Sequence, residues 1–238
     1  MQRYLFCILL SMLSIASVKS QVLIALIFGD KLNTEKLEFG LMTGPNFTHI
    51  SNSSADSRTG FALGLYFNVK LSERFFFHPE AIPKYPFGGK DLPVYSLNDP
   101  ELDPVFQNGS VDRKIQYIGL PLLFRYRIKG LLFAELGPQV NLRTKAKDEF
   151  HTGKPEGELV LTIKNKDEYT RFDVGIAAGL VLKIKHDKGL GIGVRYYQGF
   201  IDVGKNTAGS QQNGGLITYV SIPIGAKKAA AKKENKTN

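Results

Sequence analysis

The chain has 238 residues, a formal net charge of +9 and a single cysteine, Cys7. This length suits one domain of barrel size, and Cys7 lies inside a predicted leader, so we expect the mature chain to have no disulfide framework, thiolate metal site or cysteine nucleophile. Much of the positive charge lies in the lysine-rich tail at residues 227–238, which has no interleaved aromatic residues. We therefore predict a solvated, disordered tail and no binding of nucleic acid.

Residues 1–20 have the layout of a secretory signal peptide. Arg3 forms a short basic region, a continuous apolar run extends from Tyr4 to Leu13, and the segment ends in the tripeptide VKS. A retained membrane helix is the alternative, but the run is short for a span and Lys19 interrupts it. We predict that the chain is exported and cleaved after Ser20.

Residues 21–36 form a predicted N-terminal periplasmic segment. It contains the apolar run Val22 to Phe28, followed by Gly29 and Asp30. This run is too short to cross a bilayer. The sequence leaves open whether it packs as a structural segment or docks on a partner protein.

From residue 37 to residue 226, apolar residues alternate with small or polar ones, which is typical of β-strands. Thr59–Leu71 shows the pattern best. In a membrane-spanning barrel, the apolar side chains of such a strand face lipid and the small or polar ones fill the lumen. We therefore predict that Tyr66 and Asn68 face the lumen. The predicted lipid-facing residues are Phe61, Leu63, Leu65, Phe67 and Val69.

Eight strands are predicted in this region. They begin near Leu37, Thr59, Phe75, Gln116, Leu132, Glu168, Leu190 and Leu216. Because proline has no N–H group to donate, Pro79 and Pro83 predict a bulge or an early end in the third strand. Long loops are predicted at Tyr85–Arg113 and Arg143–Asp167, the second with a possible short strand at Glu158–Lys164.

The predicted connections alternate in length. Short turns follow the second, fourth and sixth strands, and longer loops follow the other strands. This asymmetry is typical of an outer-membrane barrel, with turns in the periplasm and loops outside the cell. A soluble lipocalin-like barrel is the alternative, but it would carry more charge opposite its apolar face. We predict an all-β fold, an eight-stranded antiparallel transmembrane β-barrel in the outer membrane of a Gram-negative bacterium.

Four segments carry a resemblance to a known family. They are QVLIALIFGDKLNTEKLEFGL at 21–41, HPE at 78–80, YIGLPLLFRY at 117–126 and LLFAELGPQVNL at 131–142. These segments resemble the PorT-type outer-membrane β-barrel proteins of the Bacteroidetes, whose founding member is implicated in type IX protein secretion. The resemblance implies a structural or accessory subunit of a protein-secretion or barrel-assembly machine. Its implied partners are outer-membrane lipid and other outer-membrane or periplasmic proteins.

Six charged residues occupy predicted inward positions. Three are acids and three are bases, and opposite charges of this kind neutralise one another in a narrow lumen. We predict a structural ion-pair network, and a gated proton or ion path is the alternative. The predicted members are Glu80, Arg125, Glu135, Arg171, Asp173 and Arg195.

The sequence contains no recognisable catalytic or metal-binding pattern. The four histidines, His49, His78, His151 and His186, show no Ser-His-Asp or Asp-His spacing. The acidic loop Asn98–Pro104 could offer oxygen ligands to Ca²⁺, but it lacks the EF-hand spacing and glycine. We therefore predict that the protein is not an enzyme and has no catalytic residues, cofactor or metal. An outer-membrane enzyme that hydrolyses lipid or peptide at the rim, or a surface receptor, is the alternative.

Overall fold

The computed structural model describes residues 33–34, 36–153, 157–185, 189–205 and 210–224. The predicted leader, the apolar run Val22 to Phe28 and the lysine-rich tail lie outside these residues. The described residues therefore cover the predicted barrel and most of its connections.

The described residues form nine strands and two short helical turns. The strands are β1 (Leu37–Ile50), β2 (Asp56–Lys70), β3 (Phe75–Leu92), β4 (Ser110–Lys129), β5 (Leu132–His151), β6 (Val160–Ile163), β7 (Phe172–Lys183), β8 (Gly191–Gly199) and β9 (Asn213–Pro223). The helical turns are α1 (Asp103–Phe106) and a 3₁₀ turn at Lys166–Glu168. Across the part of the chain that the structure describes, no helix is long and apolar enough to cross a membrane.

Eight of the nine strands close into one antiparallel barrel. The ring runs in the order β1, β2, β3, β4, β5, β7, β8 and β9, with each strand paired to the next. It closes where β9 pairs with β1. β6 lies outside this ring and pairs with Asp148–His151 of β5. The predicted eight-stranded barrel is confirmed, and β6 falls where the short extra strand was expected.

β4 shows how the alternating sequence builds the barrel wall. Its odd-numbered side chains from Val111 to Arg125 are buried inside, and its even-numbered side chains point outward. The outward residues from Ile118 to Ile128 are all apolar. At about 3.3 Å per residue and a strand tilt of about 40°, this stretch covers about 25 Å along the barrel axis, which matches the apolar band of a membrane barrel.

On β2, the five residues predicted to face lipid point away from the lumen. They are Phe61, Leu63, Leu65, Phe67 and Val69, which are exposed or half-buried. Tyr66 and Asn68, which alternate with them, are buried inside the barrel. The outward side chains of β2 and β4 thus continue one apolar belt around the wall.

β3 is longer than the sequence predicted. It passes through Pro79 and Pro83 and ends at Leu92, so the loop that follows is shortened to residues 93–109. The predicted bulge is present, because the β3–β4 register shifts beyond Ile82, but the predicted early end is not. The ladder continues on the far side of the bulge because proline interrupts only its own hydrogen bond.

β5 also continues beyond its predicted end at Leu142, as far as His151. Thr144 is an extra residue relative to β4, and it forms a bulge. Beyond it the inward positions change from odd to even numbers, so that Ala146 and Asp148 point into the barrel. This change of parity hides the end of the strand from a reading of the alternating pattern.

The barrel has two different ends. The turns at residues 71–74 and 130–131 lie at one end, together with the start of β1 and the end of β9, and we call this the turn end. The longer connections lie at the opposite end, the loop end. β3, β4 and β5 have 18, 20 and 20 residues, whereas β7, β8 and β9 have 12, 9 and 11. β3, β4 and β5 therefore form a tall wall that projects past the apolar belt at the loop end.

Candidate functional site in the lumen and on the outer wall

Four charged side chains form a network at the centre of the lumen. Arg195 donates two parallel hydrogen bonds of 2.7 Å to Glu80, and its Nε donates to Glu135 Oε1 at 2.6 Å. Arg125 Nε donates to the other oxygen of Glu135 at 2.8 Å. All four residues are buried. Each charge thus meets an opposite charge through short, charge-assisted hydrogen bonds, which is what a water-poor interior requires.

Two aromatic rings complete this network. The Tyr219 hydroxyl donates to Glu135 Oε1 at 2.8 Å and accepts from Arg195 Nη2 at 3.2 Å. The Arg195 guanidinium also lies 4.8 Å from the centre of the Tyr219 ring, and Gly193 leaves room for that ring because a Cβ there would come within 2.5 Å of it. His78 Nε2 lies 2.9 Å from Glu80 Oε1. The predicted network contains only acidic residues and arginines, so it leaves out Tyr219 and His78.

The remaining two predicted members are placed differently. Asp173 is buried, but its Oδ2 accepts from the side-chain amides of Asn141 at 3.3 Å and Asn213 at 3.0 Å. Arg171 is not part of the network, because it is exposed and its guanidinium lies 5.8 Å from the centre of the Phe172 ring. β7 begins only at Phe172, so the inward alternation of that strand does not extend back to Arg171.

A second buried ion pair lies nearer the turn end. Lys183 Nζ donates to Glu38 Oε1 at 2.8 Å and to the Gly189 carbonyl at 3.2 Å. The Tyr66 hydroxyl donates to the same carboxylate oxygen at 2.8 Å. Lys183 continues the inward odd-numbered positions of β7, and this alternation is the sequence signal that could have identified it.

An aromatic layer fills the lumen on the loop-end side of the central network. The Phe87 ring packs edge-to-face against Tyr85, Tyr117 and Tyr197, with centroid distances of 4.7, 5.6 and 5.8 Å. All four side chains are buried. Together with the central charges they occupy the cross-section of the barrel, as expected for a ring of eight strands.

A polar cluster closes the loop end. The Asp148 carboxylate accepts hydrogen bonds from the hydroxyls of Tyr95 at 3.0 Å and Tyr169 at 2.9 Å, and from Arg113 at 3.4 Å. Burial and the Asp148 carboxylate raise the pKa of Tyr169, although the Arg113 guanidinium acts in the opposite direction. Tyr169 therefore stays protonated at neutral pH and acts as a donor. A small apolar core made of Leu92, Phe106, Val111 and Phe150 packs beside this cluster.

The outside of the tall wall carries a groove of about 770 Å³. Its basic lining residues are Arg58, Lys84, Lys114, Lys145, Lys147, Lys164 and Lys166. None of the described lining residues is acidic. Lys114, Lys145 and Lys147 point outward from β4 and β5, which places the groove on the outer surface, and the buried residues Ile115 and Ala146 between them also line it. The sequence signal that could have revealed it is the spacing of two between Lys145 and Lys147, which puts both on one face of a strand.

The candidate catalytic and calcium-binding residues lie apart or are already engaged. His151 Nδ1 contacts Glu158 at 2.7 Å, whereas the ring of His49 stacks on Tyr196. In the acidic loop, Asp99 accepts the backbone N–H groups of residues 101 and 102, and Asp103 accepts the Ser96 hydroxyl and the backbone N–H of residue 97. Within the described ranges, no group of three histidine, cysteine or acidic residues could hold a metal ion.

Comparison with known proteins gives one family match and several similar structures. The profile of the family described as outer membrane protein beta-barrel domain matches residues 28–205, more than half of the chain. No curated protein matches the sequence significantly. The chain is similar to the attachment invasion locus protein Ail of Yersinia pestis, with 12% identity over 80% of this chain and 100% of Ail and a TM-score of 0.42. It is also similar to Neisserial surface protein A, with 14% identity over 80% of this chain and 100% of that one and a TM-score of 0.43. For OprG of Pseudomonas aeruginosa the values are 11% identity, 79% and 94% coverage and a TM-score of 0.38.

Proposed function

Because the chain belongs to the outer membrane protein beta-barrel domain family, we propose that it serves, without enzymatic activity, as a structural or accessory subunit of a larger outer-membrane assembly. Membership of this family means that the chain is an outer-membrane β-barrel protein.

The filled lumen is the observation that carries the proposal. The central ion pairs of Arg195 and the aromatic layer around Phe87 occupy the interior, and the cluster around Asp148 covers the loop end. A barrel of this kind offers no wide aqueous path for a solute. The surfaces that remain for function are the apolar belt, the tall wall and the two ends, all of which suit contact with lipid and other proteins.

We assign the assembly to protein secretion of type IX or to barrel assembly on the PorT-type resemblance. Two of the resembling segments, residues 117–126 and 131–142, are neighbours in the tall wall, and they contribute Arg125 and Glu135 to the central network. The resemblance thus involves residues that pack together, which supports a shared structural plan. The expected partners are outer-membrane lipid and other outer-membrane or periplasmic proteins, and nucleic acid is not among them.

Co-purification tests the subunit role. The full-length tagged protein is extracted in mild detergent from its native membrane after photo-crosslinking from Leu71 at the turn end or from Leu159 at the loop end, which are 58% and 61% exposed. We expect a stoichiometric protein partner and a discrete protein adduct from at least one position. Leu136 in the apolar belt is the control position, and we expect lipid adducts there. A monomeric protein with no protein adduct from any position would overturn the proposal.

A further inference from the structure

We propose that the groove on the tall wall binds the phosphorylated head group of a glycolipid in the outer leaflet, with the phosphate groups held by its lysines. The proposal assigns a ligand to a surface that the lumen network and the loop-end cluster do not involve. It does not depend on the subunit role proposed above, because a barrel can bind such a lipid alone or within an assembly.

The groove lies where the pairing of β2 with β3 is interrupted. The two strands pair at Asp56 and Ser57 near the loop end and again from Leu63 onward, with a register shift between Ser57 and Leu63. Pro83 and Pro86 of β3 line the groove at this place, and proline cannot donate a ladder hydrogen bond. The recess at this place is lined by these two prolines and by long basic side chains.

The groove has more positive than negative charges. Seven cationic side chains line it, and two carboxylates that are not lining residues interact with some of them. Glu149 contacts Lys147 at 2.6 Å and also binds Lys114, and the carboxylate of Asp112 attracts Arg58. The described groove therefore keeps an excess of positive charge, which attracts anions.

The height of the groove selects a lipid over a soluble anion. Ile118 is the last outward residue of the apolar belt on β4 in the direction of the loop end. The next two outward residues in that direction are Gln116 and Lys114, and both line the groove. A tilted strand advances about 2.5 Å along the barrel axis per residue, so Lys114 lies about 10 Å beyond Ile118, at the level of lipid head groups. Lys84 Nζ lies 5.7 Å from the centre of the Phe61 ring, at the boundary of the belt itself.

The arrangement of the lysines suits phosphate. Lys114 pairs with Lys147 across the β4–β5 ladder, and Lys145 lies two residues along on the same strand. Ammonium groups make strong, charge-assisted hydrogen bonds to phosphate oxygens. The groove is much larger than one phosphate, and its size falls among pockets of about 300–1,000 Å³ that enclose small ligands, so it can take a phosphorylated sugar. Acyl chains of the same lipid would lie along the apolar belt below.

Native mass spectrometry of the full-length protein released from nanodiscs tests the site. The probes are bisphosphorylated lipid A, its dephosphorylated analogue and phosphatidylethanolamine in the nanodisc, and a heparin fragment added in solution. The groove variant combines Lys114→Gln, Lys145→Gln and Lys147→Gln, and the matched control combines Lys36→Gln, Lys129→Gln and Lys185→Gln at the turn end. We expect the protein and the control to retain lipid A, the groove variant to retain at least tenfold less, and the dephosphorylated analogue to bind no better than phosphatidylethanolamine.

Three results would overturn the proposal. Equal retention of lipid A by both variants would show that the groove does not hold it, and equal binding of the dephosphorylated analogue would show that phosphate is not recognised. Preferential binding of a soluble heparin fragment, with no preference for lipid A in the nanodisc, would assign the groove to a soluble polyanion. Circular dichroism shows whether each variant is folded, and the single substitution Lys145→Glu repeats the test at one exposed position if the triple variant does not fold.

Discussion

Basic side chains are used in opposite ways in two regions of this barrel. In the central lumen, Arg125 and Arg195 are buried and each binds a carboxylate at 2.8 Å or less. In the groove of the tall wall, seven basic residues line the surface, and two carboxylates, Glu149 and Asp112, interact with them. The same residue type therefore stabilises the fold where its charge is matched and is available to a ligand where it is not. The two regions should respond differently to substitution.

Glu135→Leu should have the largest effect of any substitution considered. It removes the acceptor for both Arg125 Nε and Arg195 Nε and leaves two buried guanidinium groups short of negative charge. Loss of one partner from a buried network of this kind costs about 3–5 kcal/mol of unfolding free energy. Urea unfolding in detergent micelles, followed by circular dichroism, measures this loss.

Glu149→Leu is the matched control in the groove. Glu149 also binds two cations, but these cations reach solvent, so we expect a loss of about 1 kcal/mol or less. Equal losses for Glu135→Leu and Glu149→Leu would remove the distinction between the two regions.

Phe87→Ala should have the next largest effect. The substitution removes the ring that contacts Tyr85, Tyr117 and Tyr197 and leaves a cavity in the filled lumen. We expect the unfolding free energy to fall by about 3 kcal/mol, measured by the same urea titration. Phe124→Ala on the outside of β4 removes a ring of the same size that is 53% exposed, and a loss as large as that of Phe87→Ala would argue against the filled lumen as the main source of stability.

The alternating pattern made the barrel predictable, and the exceptions have physical causes. Glu80, Arg125, Glu135 and Arg195 could be placed in the lumen because each lies in the regular part of a strand. Arg171 was misplaced because β7 begins at Phe172, after Arg171, and not at the predicted start near Glu168. The spacing of Lys145 and Lys147 indicates a basic face on β5, but the bulge at Thr144 changes the parity of the strand before Lys145 is reached, so regular alternation would place this face in the lumen.

The partners of Asp173 were also beyond sequence reasoning. Asp173 was expected to meet an arginine, but Asn141 lies directly opposite it on the neighbouring strand β5, and Asn213 reaches it from β9. Each of these residues lies on a different strand, and their meeting depends on register and strand tilt. Alternation alone shows which way a side chain points, but it does not show which side chain lies opposite in the lumen.

Alkaline pH should weaken the loop-end cluster, in which the Asp148 carboxylate is bound by two tyrosine hydroxyls as well as by the Arg113 guanidinium. The folded state holds the Tyr169 proton more tightly than the unfolded chain, because the pKa of Tyr169 is raised by burial and by Asp148. Its contribution is therefore fully present below about pH 10, the pKa of an unfolded tyrosine, and is lost as pH rises further. Urea unfolding at pH 8 and at pH 11 should show reduced stability at the higher pH.

Tyr169→Phe separates this effect from general alkaline unfolding. The variant loses one hydrogen bond to a charged acceptor, about 1.5 kcal/mol at neutral pH, and should show a smaller decrease between pH 8 and pH 11. Tyr95 donates to the same carboxylate, so some pH dependence should persist. An identical decrease in the original protein and in Tyr169→Phe would mean that this tyrosine does not control the response.

Lys145→Gln should have the smallest effect on stability and is the most direct test of the contrast between lumen and groove. Lys145 is exposed beside the bulge of β5, and an exposed substitution of this kind changes the unfolding free energy by about 0.5 kcal/mol or less. Urea unfolding should therefore place the variant with Lys129→Gln, an equally exposed control at the turn end. A loss of about 2 kcal/mol or more of unfolding free energy would mean that the fold needs the charge of Lys145, as it needs the buried charges of the lumen. Unchanged stability would leave the positive charge of the groove without a structural role and strengthen its assignment to a ligand.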